Sequence, residues 1–292
     1  MGEYRFRGYD TFSHDNAFDF SKNSSIGVGG KAEIAFCPKT VAELTDLLSK
    51  LTNDGIPYCV LGNLTNVLPS DAGTKAAVIR TKNLTGIMVT DNGVFAYAGV
   101  QSGVLLRVCK HNEKSGAEFL HGIPCTLGGA LFMNAGVSGR YIAEIVESVL
   151  VYRAGRTQLL SLAECEYSYK KSVFMDGDIT ILAASLRLTP STEEKIFENE
   201  SYYAQKRAHL PSGRSMGCVF KNPIGCFAGD LIERSGLKGK RFGGAYISEN
   251  HANFIINDGT ATSLDIETLI DDIKTTVFAR FGVRLEEEIR RI

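Results

Sequence analysis

The sequence has no tryptophan, only seven prolines and no surplus of charge of either sign. Lys and Arg together number 32 against 33 Asp and Glu, so no overall positive field is available to hold nucleic acid or an anionic membrane surface. No stretch approaches the roughly 18 apolar residues that a membrane-spanning helix needs. Because 44% of its 292 residues are hydrophobic, the chain is predicted to be globular with a substantial core, not disordered or coiled-coil.

Metal and disulfide motifs are also missing. The seven cysteines are odd in number and form no CxxC pair, and the five histidines show no HxH or HxxxH spacing, so we expect no metal site and no disulfide framework. The polar, charged start of the chain shows no export signal. Reduced thiols then favour a cytoplasmic protein.

Glycine is the residue that the sequence has in excess: 30 of its 292 residues are glycine, about 10% against a typical ~7%. The glycines cluster at GNLTN (62–66) and within GIPCTLGGALFMNAGVSG (122–139), and neither cluster is a GxGxxG or P-loop motif. Glycine-dense turns can present several backbone amides to a phosphate, and two such loops suit a diphosphate. The alternative is that both clusters are tight turns that allow close packing of helices on strands.

Strand and helix patterns alternate along the chain and predict two α/β lobes, split near residues 83–90, and a third α/β unit. The capping-box patterns Thr40/Glu43 and Ser191/Glu194 mark two helix starts, and the second, after Pro190, indicates a domain boundary between 190 and 191. The predicted strands are 33–36, 56–61, 76–80, 84–89, 95–99, 145–152, 179–188 and 283–292, and the predicted helices begin near 41, 102, 192 and 264.

Nine segments then occur in the order seen in one enzyme family. They are NSSIGVGGKA (23–32), VLGNLTNVLPSDAG (60–73), GIPCTLGGALFMNAG (122–136), YSYKKSVF (167–174), GCVFKNP (217–223), AGDLIERSGLKG (228–239), GGAYIS (243–248), HANFI (251–255) and LEEEIRRI (285–292). The chain resembles the UDP-N-acetylenolpyruvoylglucosamine reductases over residues 23–292. The resemblance implies an α+β fold: a two-lobed FAD-binding domain of the vanillyl-alcohol-oxidase type (1–190) and a C-terminal α/β substrate-binding domain (191–292). Residues 1–20 remain without an assigned role.

The resemblance also implies where FAD binds, which agrees with the glycine loops. The implied cofactor-binding residues are Gly62, Asn63, Leu64, Thr65, Asn66, Gly122, Ile123, Cys125, Thr126, Gly128, Gly129, Ala130, Asn134, Ala135 and Gly136. Two of them depart from the family pattern, because Leu64 and Cys125 stand where the loops usually have glycine. Each places a side chain where a glycine lets the backbone approach a ligand.

The family reaction transfers a hydride from NADPH through FAD to an enolpyruvyl ether, and the resemblance implies three catalytic positions. Cys218 replaces the serine that donates the proton, and a thiol of reference pKa ~8.5 is a stronger acid than a hydroxyl. Lys170 replaces the arginine that stabilises the enolate, keeping its charge without its planar fork. Glu288 matches the terminal carboxylate, although in a strand Glu286 would share its face.

Substrate contacts are implied at Lys221, Asn222 and His209, with Lys206 and Arg207 as further candidates for the UDP diphosphate. His251 is expected to be a hydrogen-bonding residue and not a catalyst. The implied activity is NADPH-dependent, FAD-mediated reduction of UDP-N-acetylglucosamine enolpyruvate to UDP-N-acetylmuramate, with a small-molecule UDP-sugar as partner. Two alternatives stay open: a paralogous flavin oxidoreductase acting on another nucleotide sugar, and a catalytically silent protein that binds flavin or nucleotide sugar.

Overall fold

A computed structural model describes residues 5–292, which form two compact units, each built from three separated stretches of chain. Unit 1 comprises the described residues up to Asp15, Ile34–Asn63 and Ala76–Ala208, and unit 2 comprises Asn16–Glu33, Leu64–Lys75 and His209–Ile292. The predicted boundary after residue 190 falls inside unit 1, before its last helix; as a functional boundary it stays a prediction.

The first sheet along the chain has four strands in the order His14–Asp19, Lys31–Phe36, Ala77–Arg80, Tyr58–Leu61, of which the last three run parallel. The part of it that belongs to unit 1 comprises residues 14–15, residues 34–36 and the last two strands. The helix Val41–Asn53 connects two of these strands. Thr40 caps it by accepting the amide of Glu43 at 3.1 Å, as predicted, whereas the Glu43 carboxylate bonds to the amide of Lys39 and so leaves the capping box incomplete. The apolar stripe Leu44, Leu47, Leu48 and Leu51 is fully buried.

A second, five-stranded antiparallel sheet follows in unit 1. Its order is Arg156–Ser161, Val146–Arg153, Ile179–Arg187, Gly93–Tyr97, Ile87–Thr90. The helices of this part are Ser102–His111, Leu127–Met133 and Glu193–Arg207. The second helix contacts the central strands of the sheet, and its buried residues Ala130 and Leu131 belong to the same core cluster as the strands. This packing fixes the second glycine loop on the sheet.

Unit 2 has a three-stranded antiparallel sheet, Arg241–Phe242, Ala245–Ile247 and Ile255–Asn257, with the helices Phe20–Asn23, Ala228–Arg234 and Ser263–Phe281. The long helix begins at a capping box formed by Thr262 and Asp265 and ends at Gly282, which has a φ of +70°. Asp71 also accepts the amides of Ser263 and Leu264, at 2.9 and 3.1 Å. A separate stretch of unit 2 therefore stabilises the start of its main helix.

The predicted final strand, 283–292, is wrong for most of its length. Only Arg290–Arg291 form a strand, in a parallel pair with Val67–Leu68, and Glu287 makes an isolated bridge to Phe220. The strand Arg156–Ser161, which lies at a sheet edge, was not predicted. Of residues 1–20, positions 1–4 lie outside the described residues, and the part from residue 5 onward gains a structural explanation, since Phe6, Tyr9 and Phe12 pack around Phe36.

Within residues 5–292, no helix is long and apolar enough to cross a membrane. The same described stretch holds no group of three or more His, Cys, Asp or Glu side chains placed to bind a metal ion. All seven cysteines lie in it, and none forms a disulfide.

Candidate active site

The two glycine loops, about sixty residues apart in sequence, meet in unit 1. A Cβ atom on Gly62 would lie only 2.3 Å from the Thr126 hydroxyl, so this close approach requires glycine. The Asn63 side chain donates to the carbonyl of Pro124 at 2.9 Å. Gly62 and Asn63 of the first loop are therefore in direct contact with the second loop, and the binding of a diphosphate by both loops stays a prediction.

The second loop presents fewer amides to a ligand than its glycine content predicts, because its backbone N–H groups bond within the protein. Those that donate to protein oxygen atoms are Ile123, Cys125, Leu127, Gly128, Gly129 and Ala130. The Gly128 amide, for example, donates to Ala98 O at 2.8 Å. Positive charge comes from a side chain instead, since the Arg207 guanidinium donates to Gly122 O at 3.1 Å. Arg207, predicted as a candidate for the UDP diphosphate, thus lies against the second loop.

The two departures from glycine are accommodated differently. Leu64 is buried at a φ of +52°, in the left-handed region that glycine occupies at little cost. Cys125 is not among the residues with positive φ, and its side chain joins the core of unit 1. Burial raises the pKa of the Cys125 thiol to about 11, so this cysteine is an inert packing residue.

Asn134 connects the second loop to the motif that contains Lys170. It ends the helix Leu127–Met133 in the left-handed conformation, and its side chain donates to Ser168 O at 2.9 Å while accepting the amide of Ala143. Ser168 and Lys171 pair in both directions at 3.1 Å and close a two-residue turn. Lys170, half-buried, lies in this turn at a φ of +53°. Asn134, predicted to bind cofactor, is therefore also a support for the predicted enolate-binding lysine.

In unit 2, the segment that carries Cys218 is fixed from two sides. The buried Asn253 receives the amide of Phe220 at 2.9 Å and donates to the carbonyl of the same residue at 2.8 Å. On the other side, the amide of Glu288 donates to Val219 O at 2.8 Å. Cys218 is thus next in sequence to the residue that accepts the Glu288 amide, so these two predicted catalytic residues lie on neighbouring backbone segments.

The three successive glutamates have three different environments. Glu286 is exposed and pairs with Lys221 at 2.5 Å, whereas Glu287 pairs with Lys274 and Arg291. Burial raises the pKa of Glu287, but hydrogen bonds from Arg291 and Lys274 outweigh it and leave the pKa below its ordinary value. Glu288 is half-buried, and its backbone amide donates to the carbonyl of Val219. Of the two candidates on one predicted face, Glu286 is exposed and Glu288 is half-buried; the catalytic role of Glu288 stays a prediction.

The predicted substrate residues have structural contacts as well. Lys221 is the partner of Glu286, and Asn222 Oδ1 accepts the amide of Ala228 at the start of a helix. His209 stacks on His251, with ring centroids 6.2 Å apart. Burial, followed by the neighbouring His209, lowers the pKa of His251. The His251 ring accepts the amide of Asn253, which agrees with the expected hydrogen-bonding role.

Sequence reasoning missed the role of Asn253. The signal was an amide side chain inside the apolar run Ala252–Ile256, where a buried polar group must find hydrogen-bond partners. Its partners lie 33 residues away, so the pattern could indicate that a bond exists but not which segment it holds.

Comparison with known proteins identifies the family. The C-terminal domain of UDP-N-acetylenolpyruvoylglucosamine reductase matches residues 208–292, and an FAD binding domain matches residues 32–159. The UDP-N-acetylenolpyruvoylglucosamine reductase of Clostridioides difficile is 38% identical, covering 92% of this chain and 90% of that protein. The chain belongs to the UDP-N-acetylenolpyruvoylglucosamine reductase family. The reductase of Caldanaerobacter subterraneus, at 37% identity over 92% of this chain and 90% of its own length, supports the same assignment.

Solved structures support the predicted fold of this reductase-family chain. The reductase of Thermus caldophilus has a TM-score of 0.82 at 31% identity and covers 96% of this chain and 98% of its own. The BBE-like 1 protein of Physcomitrella patens, at 12% identity and a TM-score of 0.50, covers 65% of this chain and 44% of its own, and shows the fold alone. The α+β fold with an FAD-binding domain of the vanillyl-alcohol-oxidase type and a C-terminal reductase domain is confirmed.

Proposed function

We propose that this chain reduces UDP-N-acetylglucosamine enolpyruvate to UDP-N-acetylmuramate for peptidoglycan synthesis, with FAD as cofactor and NADPH as hydride source. Beyond family membership, the observation that supports it is the pairing of Val219 with Glu288, which puts the Cys218 thiol and a carboxyl group on neighbouring backbone segments. We place the chain in the cytoplasm because its seven cysteines are free, and disulfides are rare in that compartment.

Unit 1 offers residues suited to FAD, which when bound supplies the hydride carrier between NADPH and the vinyl ether. Gly62 and Thr126 bring the two loops into contact, and the Arg207 guanidinium against Gly122 provides charge for a diphosphate. The hydroxyl of Thr126, held at the start of its helix, adds a neutral polar group. The loops thus combine close backbone approach with one cation, a combination that suits a diphosphate group.

The chain's own chemistry is the handling of one proton and one negative charge. The reaction adds a hydride to the outer vinyl carbon and a proton to the inner carbon. Cys218 donates that proton from its S–H group, and the resulting thiolate regains one from water, directly or through the carboxyl group of Glu288. Lys170 places a positive charge near the carboxylate on which negative charge develops.

Anaerobic half-reactions test the function. The purified protein is expected to be yellow, to be bleached by NADPH and to be reoxidised by the enolpyruvyl substrate. The product should be heavier than the substrate by the mass of two hydrogen atoms. A colourless protein that cannot take up FAD would favour the silent alternative. A yellow protein that NADPH bleaches but the enolpyruvyl substrate does not reoxidise would favour the paralogous oxidoreductase.

Substitution of Cys218 separates the proton donor from the rest of the site. Cys218→Ala should still be bleached by NADPH, because hydride uptake needs no thiol, yet its reoxidation by substrate should slow by roughly 10²- to 10⁴-fold. Cys218→Ser keeps a proton donor, so its rate of reoxidation by substrate should lie between those of the wild type and Cys218→Ala. Cys226→Ala, which removes the next thiol along the same unit, is the matched control with unchanged rates. Equal reoxidation of the wild type and Cys218→Ala would refute the assignment.

A further inference from the structure

Asn66, the last residue of the first glycine loop, holds the backbone on both sides of Ile289. Its side-chain Nδ2 donates to the carbonyl of Glu288 at 3.1 Å, and its own carbonyl accepts the amide of Arg290 at 3.0 Å. Both bonds lie within unit 2 and join residues more than 220 positions apart. The resemblance assigns the Asn66 side chain to the cofactor, but one of its two N–H groups donates a hydrogen bond to the backbone of the segment that contains Glu288.

The opposite side of Glu288 is fixed as well. Its amide donates to Val219 O at 2.8 Å, while its carbonyl accepts from Asn66, so both peptide planes that flank its Cα atom are held. These two planes set the direction of the Cα–Cβ bond, from which the carboxyl group extends. Beyond Arg290, the parallel pairing of Arg290 and Arg291 with Val67 and Leu68 prolongs the attachment.

We propose that Asn66 is a positioning residue for Glu288, in addition to its place in the flavin loop. Loss of its amide frees the carbonyl of Glu288 and lets the peptide plane rotate, while the pairing with Val219 and the Val67–Leu68 strand remains. A small displacement of a reacting group costs up to about 10²-fold in rate even when the binding residues are intact. The inference rests on the proposed function, in which Glu288 assists proton transfer.

Two substitutions at residue 66 test the bond. Asn66→Ala removes the donor, and Asn66→Asp keeps the shape but replaces the N–H group by an oxygen atom, so it serves if the alanine variant does not fold. FAD content and the rate of NADPH bleaching are measured in each variant, and the reoxidation rate is referred to the fraction of protein that holds FAD and has been bleached. Reoxidation by UDP-N-acetylglucosamine enolpyruvate should slow by about 10- to 100-fold, up to the cost of a small misplacement of a reacting group.

A double-mutant cycle distinguishes positioning from a general structural effect. If Asn66 acts through Glu288, Asn66→Ala should slow reoxidation by less than about twofold in a Glu288→Gln background. A second measurement needs no cofactor: in FAD-free protein, amide hydrogen exchange at 288–290 should accelerate in Asn66→Ala. The control is Asn83→Ala, which removes a comparable long-range bond from an asparagine side chain to Cys37 O at 3.2 Å and should change neither reading.

Several outcomes would overturn the inference. Wild-type reoxidation in Asn66→Ala, or equal slowing with and without Glu288, would show that the bond does not act through that carboxyl group. Loss of FAD in both residue-66 variants would assign the side chain to the cofactor instead. If the wild-type protein itself is not reoxidised by the enolpyruvyl substrate, the proposed function fails, and this inference with it.

Discussion

Lys170 adopts a backbone conformation that lysine rarely takes, with a φ of +53° in the turn closed by Ser168 and Lys171. The turn fixes where the side chain starts, so a longer side chain at residue 170 departs from the same point. Arginine there would restore a planar fork that binds a carboxylate through two hydrogen bonds.

We therefore expect Lys170→Arg to raise the rate of reoxidation by substrate a few-fold and Lys170→Met to lower it by about 10²- to 10³-fold, as for loss of a charge that stabilises an oxyanion. Stopped-flow absorbance of the flavin measures both rates. Lys171→Met is the matched control, because the exposed Lys171 pairs only loosely with Asp176, at 3.6 Å. A slower Lys170→Arg enzyme would indicate that the substrate binds in a different pose.

Leu64 combines backbone strain with burial. A non-glycine residue in the left-handed region costs roughly 1–2 kcal/mol, whereas truncation of a buried leucine costs roughly 2–5 kcal/mol. Burial is the larger effect, so restoring the family's glycine should lower the free energy of unfolding. We expect Leu64→Gly to be less stable than the wild type but about 0.5–1 kcal/mol more stable than Leu64→Ala, which keeps the strain.

Urea unfolding of the three proteins checks that order. Leu68, equally buried but in a strand with ordinary φ, provides the control, since Leu68→Ala should be more stable there than Leu68→Gly. If the alanine variant is the more stable one at residue 64 as well as at residue 68, strain at Leu64 contributes nothing to stability.

At the scale of elements, the segment before the first strand attaches to the first helix of unit 1. Tyr9 is 1% exposed, and its hydroxyl donates to Asp54 at 2.7 Å, just after the helix ends. Lys50, on the last turn of that helix, lies over the Tyr9 ring at 4.6 Å. Hydrogen bonds from Tyr9 and then Lys50 hold the pKa of Asp54 below its ordinary value.

Because the folded pKa of Asp54 is lowered, its contribution is complete above the unfolded value of about 3.9 and is lost as pH falls through the folded value. Tyr9→Phe removes the main cause, so the stability difference between the wild type and Tyr9→Phe should be largest at neutral pH and shrink below about pH 4. Tyr9→Ala removes the buried ring as well as the hydroxyl, so it should still cost about 3–5 kcal/mol below pH 4, where the hydroxyl contributes least, as for other buried aromatics. Thermal unfolding measured from pH 3 to 7 tests both, and a Tyr9→Phe difference that does not change with pH would contradict the first.

Local signals explain which elements could be predicted. Thr40 and Thr192 cap their helices as side-chain acceptors, and the sequence places both starts within a residue. The segment 283–292 reads as a strand, but its partners lie in Val67–Leu68 and around Val219, and only those partners decide which residues pair. The positive φ of Lys170 was equally hidden, because nothing in its own chemistry favours that conformation.

At the scale of the whole molecule, both glycine loops and the family could be read from the sequence, but the interleaving of the units could not. Unit 2 depends on bonds between distant stretches, such as Asn257 Nδ2 to Ile26 O at 2.8 Å and Ser25 Oγ to Ser215 O at 2.6 Å. No local pattern encodes contacts across some 190 to 230 residues.

The fragment 209–292 should consequently not fold by itself, although the reductase C-terminal domain matches almost the same range. It lacks Asp71 at the start of its long helix and Val67–Leu68 beside its last strand. Circular dichroism should show low helicity and no cooperative thermal transition, in contrast to the intact chain. Cooperative unfolding of the isolated fragment would show that the two earlier stretches are dispensable.

The division of unit 2 into three stretches also sets an order of events during translation. Residues 64–75 leave the ribosome more than a hundred residues before their partners in 209–292, which at about 5–20 residues per second is a delay on the order of ten seconds. During that time Val67 and Leu68, both buried in the finished unit, have no partner strand. The pair of strands that joins Val67–Leu68 to Arg290–Arg291 can therefore form only when synthesis of the chain is almost finished.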